Sequence, residues 1–200
     1  MEAWARRTFE PLLVPVVAAV ARSGVSPNAL TVLGAALNGV AGVLVGLGLP
    51  FWGGLLMVVL AMPLDALDGG VARLRGLQTR FGAFLDSTLD RLAEGALLGG
   101  VAVWFAQRGE VLGVAGAVAA LIGSFMVSYT RARAEGLGLA CKVGLFSRFG
   151  RFLLLAAGLL GSAITAHSLA IMVWLMTLLT AYTTLERIAH VWRVTRDPNA

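Results

Sequence analysis

Six apolar stretches, at roughly residues 30–49, 53–72, 83–106, 111–131, 149–166 and 168–189, leave this chain few ways to fold. Each is 18 to 24 residues long, and a helix rising about 1.5 Å per residue needs about 20 residues to cross some 30 Å of hydrocarbon. A soluble domain of 200 residues could not hide so much apolar surface: 58% of the chain is hydrophobic and 14% charged, with a mean hydropathy of +0.83. The expected fold is all-α, a polytopic membrane protein whose six transmembrane helices occupy residues 27–200. Breaks fall at Gly48-Leu49-Pro50, at Arg108-Gly109-Glu110 and around Thr165 to Ser168.

The basic residues orient these spans. Arg6, Arg7 and Arg22 precede the first; Arg73, Arg75, Arg80 and Arg91 lie in or beside the second connection; Arg131, Arg133, Lys142, Arg148 and Arg151 surround the fourth; Arg187, Arg193 and Arg196 end the sixth. The other side receives Arg108 alone, fifteen against one. Basic residues collect in cytoplasmic loops, so both termini are expected on the cytoplasmic side of the cell membrane. In so apolar a chain the net charge of +5 fits anionic headgroups or substrates, and no nucleic-acid partner is expected.

Residues 1–26 read as an interfacial amphipathic helix, with Trp4, Phe9, Leu12 and Leu13 meeting the membrane surface. The alternative is a secretory signal with a small-residue cleavage site. Glu10, Pro11 and Pro15 interrupt its apolar run, and the next span would then point the wrong way. One cysteine, Cys141, excludes an intramolecular disulfide and reads as a packing residue. His167 and His190 lack metal-ligand spacing and read as interfacial polar residues.

The second and third spans carry four aspartates. Counted from Leu77, Asp68 lies nine residues before and Asp86 nine after, while Asp65 lies twelve before and Asp90 thirteen after. In an antiparallel hairpin those separations put Asp68 level with Asp86 and Asp65 level with Asp90. The i,i+3 and i,i+4 spacings keep each pair on one helix face. Four like charges so close oppose folding. Water and arginines could neutralise them at a solvated hairpin end, but ionisable groups in membrane spans usually serve function. Clustered carboxylate oxygens suit hard cations such as magnesium or manganese, which would leave a charged surface for a phosphate-bearing substrate. Gly69, Gly70, Ala72, Gly82 and Ala83 beside the aspartates suggest close approach by a ligand or another backbone; helix packing in lipid would also use them.

The segment Asp65–Asp90 resembles the CDP-alcohol phosphotransferase family. Its motif D-x-x-D-G-x-x-A-R-x8-G-x3-D-x3-D is matched at Asp65, Asp68, Gly69, Ala72, Arg73, Gly82, Asp86 and Asp90. "PNALT" at residues 27 to 31 is similar to the family's element beside the nucleotide pocket. The resemblance implies a transferase that joins a CDP-linked lipid, acyl or ether, to an alcohol acceptor through one phosphate and releases CMP. By the same resemblance, Asp65, Asp68 and Asp86 bind two divalent ions (Mg2+, with Mn2+ possible). Asp90 completes the metal site and acts as general base. Asn28, Thr31, Gly69, Ala72, Arg73, Thr79 and Gly82 form the CDP-lipid site. A homodimer is also implied.

The acceptor is sought in "SYTRARAEG", "FSRFGR" and "LERIAHVWR". Ser128, Arg131, Arg133, Arg148 and Arg187 could converge on a dianionic phosphate, or could be anchors for anionic lipid. "SYTRARAE" and "DSTLDR" resemble the prokaryotic phosphatidylinositol-phosphate synthases, with Arg131 in place of a lysine. Phosphatidylglycerol-phosphate synthases usually carry proline where Ser87 stands. Inositol 1-phosphate is therefore the expected acceptor and glycerol 3-phosphate the alternative. A divalent-cation transporter would also use carboxylates in a bundle, but its site belongs near the midplane with a path to both sides, whereas these aspartates lie at one boundary.

Overall fold

The computed structural model describes residues 14–165 and 167–196. A helical stretch over 14–22 is followed by six helices: α1 (Pro27–Gly46), α2 (Pro50–Leu74), α3 (Arg80–Ala106), α4 (Val111–Gly136), α5 (Arg148–Gly161) and α6 (His167–Arg196). No strand occurs among the described residues. Trp4, Phe9, Leu12 and Leu13 of the expected interfacial helix lie outside them. The 14–22 stretch rests on α2, where a Cβ added to Gly70 would meet Val17 Cγ2 at 2.9 Å.

Three helices begin at the end of the bundle that carries the aspartate hairpin, and each has a hydroxyl at its N-cap. Ser26 Oγ accepts from Ala29 N at 3.2 Å, Thr79 Oγ1 from Gly82 N at 2.9 Å and Ser147 Oγ from Gly150 N at 3.4 Å. Each cap satisfies a donor that the helix cannot satisfy itself. Gly76, at φ +65°, turns the chain between α2 and α3, a conformation that costs glycine little.

α2 is not α-helical throughout. Pro63 has no N–H for the Val59 carbonyl, and immediately before it the helix widens into a π turn over Met57–Ala61. The α-helical register resumes at Met62 and carries Asp65 and Asp68 to the hairpin end.

Among the described residues four helices, α1, α2, α4 and α6, are long and apolar enough to cross a membrane. Apolar side chains line their outer surface: Val43, Leu112, Ile122 and Leu178 are all more than half exposed. α3 has 27 residues, but Arg80, Asp86, Asp90, Arg91 and Glu94 charge its stretch over 80–94. α5 has only 14 residues, about 21 Å at the usual rise. It stops at Gly161, and Ser162 Oγ then bonds the Leu159 carbonyl at 2.6 Å. The expected fifth span, 149–166, is thus shorter in the structure. Residues 162–164 extend the hydropathy pattern but turn instead of continuing the helix.

The core gathers Leu97, Val101 and Phe105 of α3, Leu155 and Leu159 of α5, and Met172 and Met176 of α6, each fully or almost fully buried. α1 and α3 cross backbone to backbone. A Cβ on Gly100 would overlap the Gly42 carbonyl, and one on Gly42 would overlap the Ala96 carbonyl; small residues allow such approach between membrane helices. Gly100→Leu is therefore expected to destabilise the protein by about 1–3 kcal/mol or more through overpacking. Gly99→Leu, one residue away with nothing within 4 Å of its would-be Cβ, should change little. Thermal unfolding of both variants in the same detergent checks this; equal melting temperatures would remove the close crossing as its cause.

Candidate active site

The hairpin places Asp65 and Asp68 on α2 against Asp86 and Asp90 on α3. One carboxylate oxygen from each of Asp65, Asp68 and Asp86 lies within 4.8 Å of the other two. Asp68, only 6% exposed, is held from both sides. Thr31 Oγ1 donates to its Oδ2 at 2.6 Å, and the Gly69 N–H donates to its Oδ1. Asp90 is not one of the three. Its Oδ1 accepts from Arg148 Nη2, which also donates to Asp65 Oδ1 at 2.7 Å. One guanidinium from α5 thus joins the second pair of aspartates across the hairpin.

One arginine does not neutralise four carboxylates. Three acidic side chains converging within 4.8 Å repel one another unless protonated or joined by a cation. All the donors are hard oxygens, the chemistry of magnesium, manganese or calcium rather than of soft metals. Asp65, Asp68 and Asp86 therefore fit a divalent cation.

Beside this cluster lies a cavity of about 330 Å³ between α1, the end of α2 and the start of α3. Asn28, Thr31, Gly69, Ala72, Arg73, Thr79 and Gly82 all line it, together with Asp68 and Asp86. A Cβ on Gly82 would sit 3.2 Å from Asn28 Oδ1, so α1 and α3 close the cavity tightly there. Leu77 and Gln78 also line it and carry no motif signal that would have marked them, whereas Pro27, also in the lining, belongs to "PNALT".

The five residues sought for the acceptor are more dispersed. Arg148 sits among the aspartates. Arg187 is buried, its Nε donating to the Val143 carbonyl at 2.9 Å and its Nη1 to the Val127 carbonyl. Arg133 shares with it a second cavity of about 310 Å³ between α4 and α6. Arg131 makes an exposed i,i+4 pair with Glu135 at 2.8 Å, and Ser128 is half-buried on α4. Among the described residues no hydrogen bond joins any two of the five.

A further ion pair stands one turn deeper than Asp90. Arg151 Nε donates to Glu94 Oε1 at 2.7 Å and its Nη2 to Oε2 at 3.3 Å, with both side chains under 5% exposed. Two acids four apart on α3 thereby meet two arginines three apart on α5. The same helical spacing that marks the aspartates extends to Glu94 and Arg151, and that was the available signal for them.

Comparison with known proteins gives a consistent result. The family model described as CDP-alcohol phosphatidyltransferase matches residues 24–194. A phosphatidylinositol phosphate synthase of Streptomyces avermitilis is 38% identical over 98% of this chain and 84% of its own. The crystal structure of Mycobacterium tuberculosis phosphatidylinositol phosphate synthase with CDP-DAG bound superimposes with a TM-score of 0.82 at 31% identity, covering 92% of this chain and 94% of that one. The same enzyme in complex with manganese and citrate gives a TM-score of 0.82 at 31% identity, covering 92% and 90%.

Proposed function

Because the chain belongs to the CDP-alcohol phosphatidyltransferase family, we propose that it transfers the phosphatidyl group of a CDP-linked lipid to a hydroxyl of inositol 1-phosphate and releases CMP. The observation that carries this reading is the junction of three converging carboxylates with a cavity lined by Gly69, Ala72, Arg73 and Gly82 of the motif. The name borne by the Streptomyces relative, which aligns over nearly the whole chain, supports the acceptor.

In this reading the cytidine and diphosphate lie in the cavity of Asn28, Thr31, Gly69, Ala72, Arg73, Thr79 and Gly82. Arg73 offers a planar donor fork for phosphate oxygens. Asp65, Asp68 and Asp86, with Asp90 completing the site, would hold divalent cations, two Mg2+ ions in the full reading, and these would supply charge neutralisation at the diphosphate and make CMP a better leaving group. Asp90 takes the proton of the acceptor hydroxyl as its oxygen attacks the lipid-linked phosphorus. Arg148, already against Asp90, faces the acceptor's phosphate, with Ser128, Arg131, Arg133 and Arg187 completing that subsite. The fifteen-to-one basic asymmetry supports a cytoplasmic site, and two copies of the chain assemble as a homodimer.

The test is CMP release by the purified protein with CDP-diacylglycerol and Mg2+, inositol 1-phosphate and glycerol 3-phosphate being offered in parallel. Release is expected with inositol 1-phosphate and on the order of tenfold more slowly with glycerol 3-phosphate, because a site that hydrogen-bonds one acceptor's hydroxyls penalises an acceptor that leaves its groups unpaired. Preference for glycerol 3-phosphate would replace the acceptor assignment and keep the chemistry.

A further inference from the structure

The connection between α4 and α5, residues 137–147, contains no helix or strand, yet it is firmly attached to α6. Three residues of α6 at i, i+4 and i+7, which share one helix face, each bond its backbone. Thr183 Oγ1 accepts from Phe146 N at 3.1 Å. Arg187 Nε donates to the Val143 carbonyl at 2.9 Å. His190 Nε2 lies 3.0 Å from the Ala140 carbonyl, which can only accept, so the imidazole carries a proton on Nε2. Within the strap Cys141 and Phe146 are buried. Gly144 sits at φ +133°, where a Cβ would stand 2.8 Å from Thr183 Cγ2.

The strap ends at Ser147, the N-cap of α5, and the next residue is Arg148. The hydrogen bond at Phe146 is therefore two residues from the guanidinium that bridges Asp65 and Asp90. We propose that Thr183 and His190 are positioning residues, which hold the 137–147 strap against α6 so that α5 starts with Arg148 at the acceptor side of the aspartates. Neither side chain need touch a substrate. Arg187 fastens the same strap, but it is assigned to the acceptor subsite above and is left out of the test. The kinetic part of the inference rests on the transfer reading; the anchoring part does not.

Lys142 is the only lysine in the chain and is exposed within the strap. A lysine-specific protease acting on the full-length protein in detergent therefore cuts once, at a rate that reports how often the strap leaves α6. The Thr183→Val/His190→Phe double variant is expected to be cut on the order of tenfold faster, the consequence of losing two hydrogen bonds. Thr183→Ser and His190→Gln, each retaining the bonding group, should be cut at nearly the parent rate. In CMP release, the double variant should raise KM for the acceptor several-fold and leave KM for the CDP-lipid unchanged. A parent-like cleavage rate in the double variant overturns the anchoring. Faster cleavage with both KM values shifted equally overturns the positioning role, because general loosening would do that. If neither acceptor supports turnover by the parent protein, the transfer reading has failed, and cleavage alone judges the anchoring.

Discussion

Asp90→Asn should lower CMP release by about 10²- to 10⁴-fold, the usual contribution of a positioned general base, while the protein stays folded and still binds a divalent cation. The geometry separates these effects. Asp65, Asp68 and Asp86 converge without Asp90, so removing its charge leaves that oxygen cluster complete. Its side chain is only 11% exposed, and its Oδ1 is committed to Arg148. Its other oxygen makes no hydrogen bond to the described residues and is left for the acceptor's proton. Asparagine preserves the shape and accepts from Arg148 through its amide oxygen, but it cannot take up a proton. Asp68→Asn is expected to lose both activity and cation affinity, since Asp68 belongs to the converging three. Mn2+ binding followed by electron paramagnetic resonance, beside CMP release, distinguishes the two variants. Parent-like CMP release by Asp90→Asn would remove it from the proton-transfer role.

The second large effect is expected at the buried Glu94–Arg151 pair. Glu94→Ala leaves the Arg151 guanidinium, in a side chain 4% exposed, without its counter-charge inside the bundle. Breaking one side of a buried pair costs about 3–5 kcal/mol, because the surviving charge stays desolvated. Replacing both members by methionine should recover most of that stability, since two apolar side chains of similar volume carry no such penalty. Thermal unfolding of the single and double variants reads the difference. A Glu94→Ala protein as stable as its parent would mean that water or another group reaches Arg151.

Much of this arrangement is legible in the amino-acid sequence alone. Counting outward from Leu77 placed Asp68 opposite Asp86 and Asp65 opposite Asp90, because a hairpin converts equal sequence separations into equal heights. The structure has Asp68 and Asp86 in one oxygen cluster and joins Asp65 to Asp90 through Arg148. Asp68, Gly69, Ala72, Arg73, Gly82 and Asp86 of the motif, with Pro27, Asn28 and Thr31 of "PNALT", were likewise legible as a group, and they line one cavity.

What the sequence hid was pairing between distant segments. Nothing in "FSRFGR" says that Arg148 turns toward the aspartates and Arg151 toward Glu94; Arg148 reads as a candidate for the acceptor's phosphate and Arg151 as a basic residue at a membrane boundary. His190 reads only as an interfacial polar residue because its partner is a backbone carbonyl 50 residues away, and backbone groups carry no sequence signature. The short α5 was hidden for another reason: hydropathy measures how apolar a segment is, not where its helix stops.

The π turn in α2 also bears on how the chain counts its own residues. In an ordinary helix each residue advances the face by about 100°. A single wide turn can take in one supernumerary residue, an insertion stored without rotating the parts before and after it. Met57–Ala61 therefore sets the azimuth of everything downstream. If the same number of residues were wound as a plain α-helix, the stretch after Ala61 would rotate by about 100° relative to the stretch that packs on α5 through Gly54 and Leu159. Asp65 and Asp68 would then swing away from Asp86. The aim of the carboxylates is thus fixed one to two turns upstream of them, by an irregularity in a segment that bears no charge.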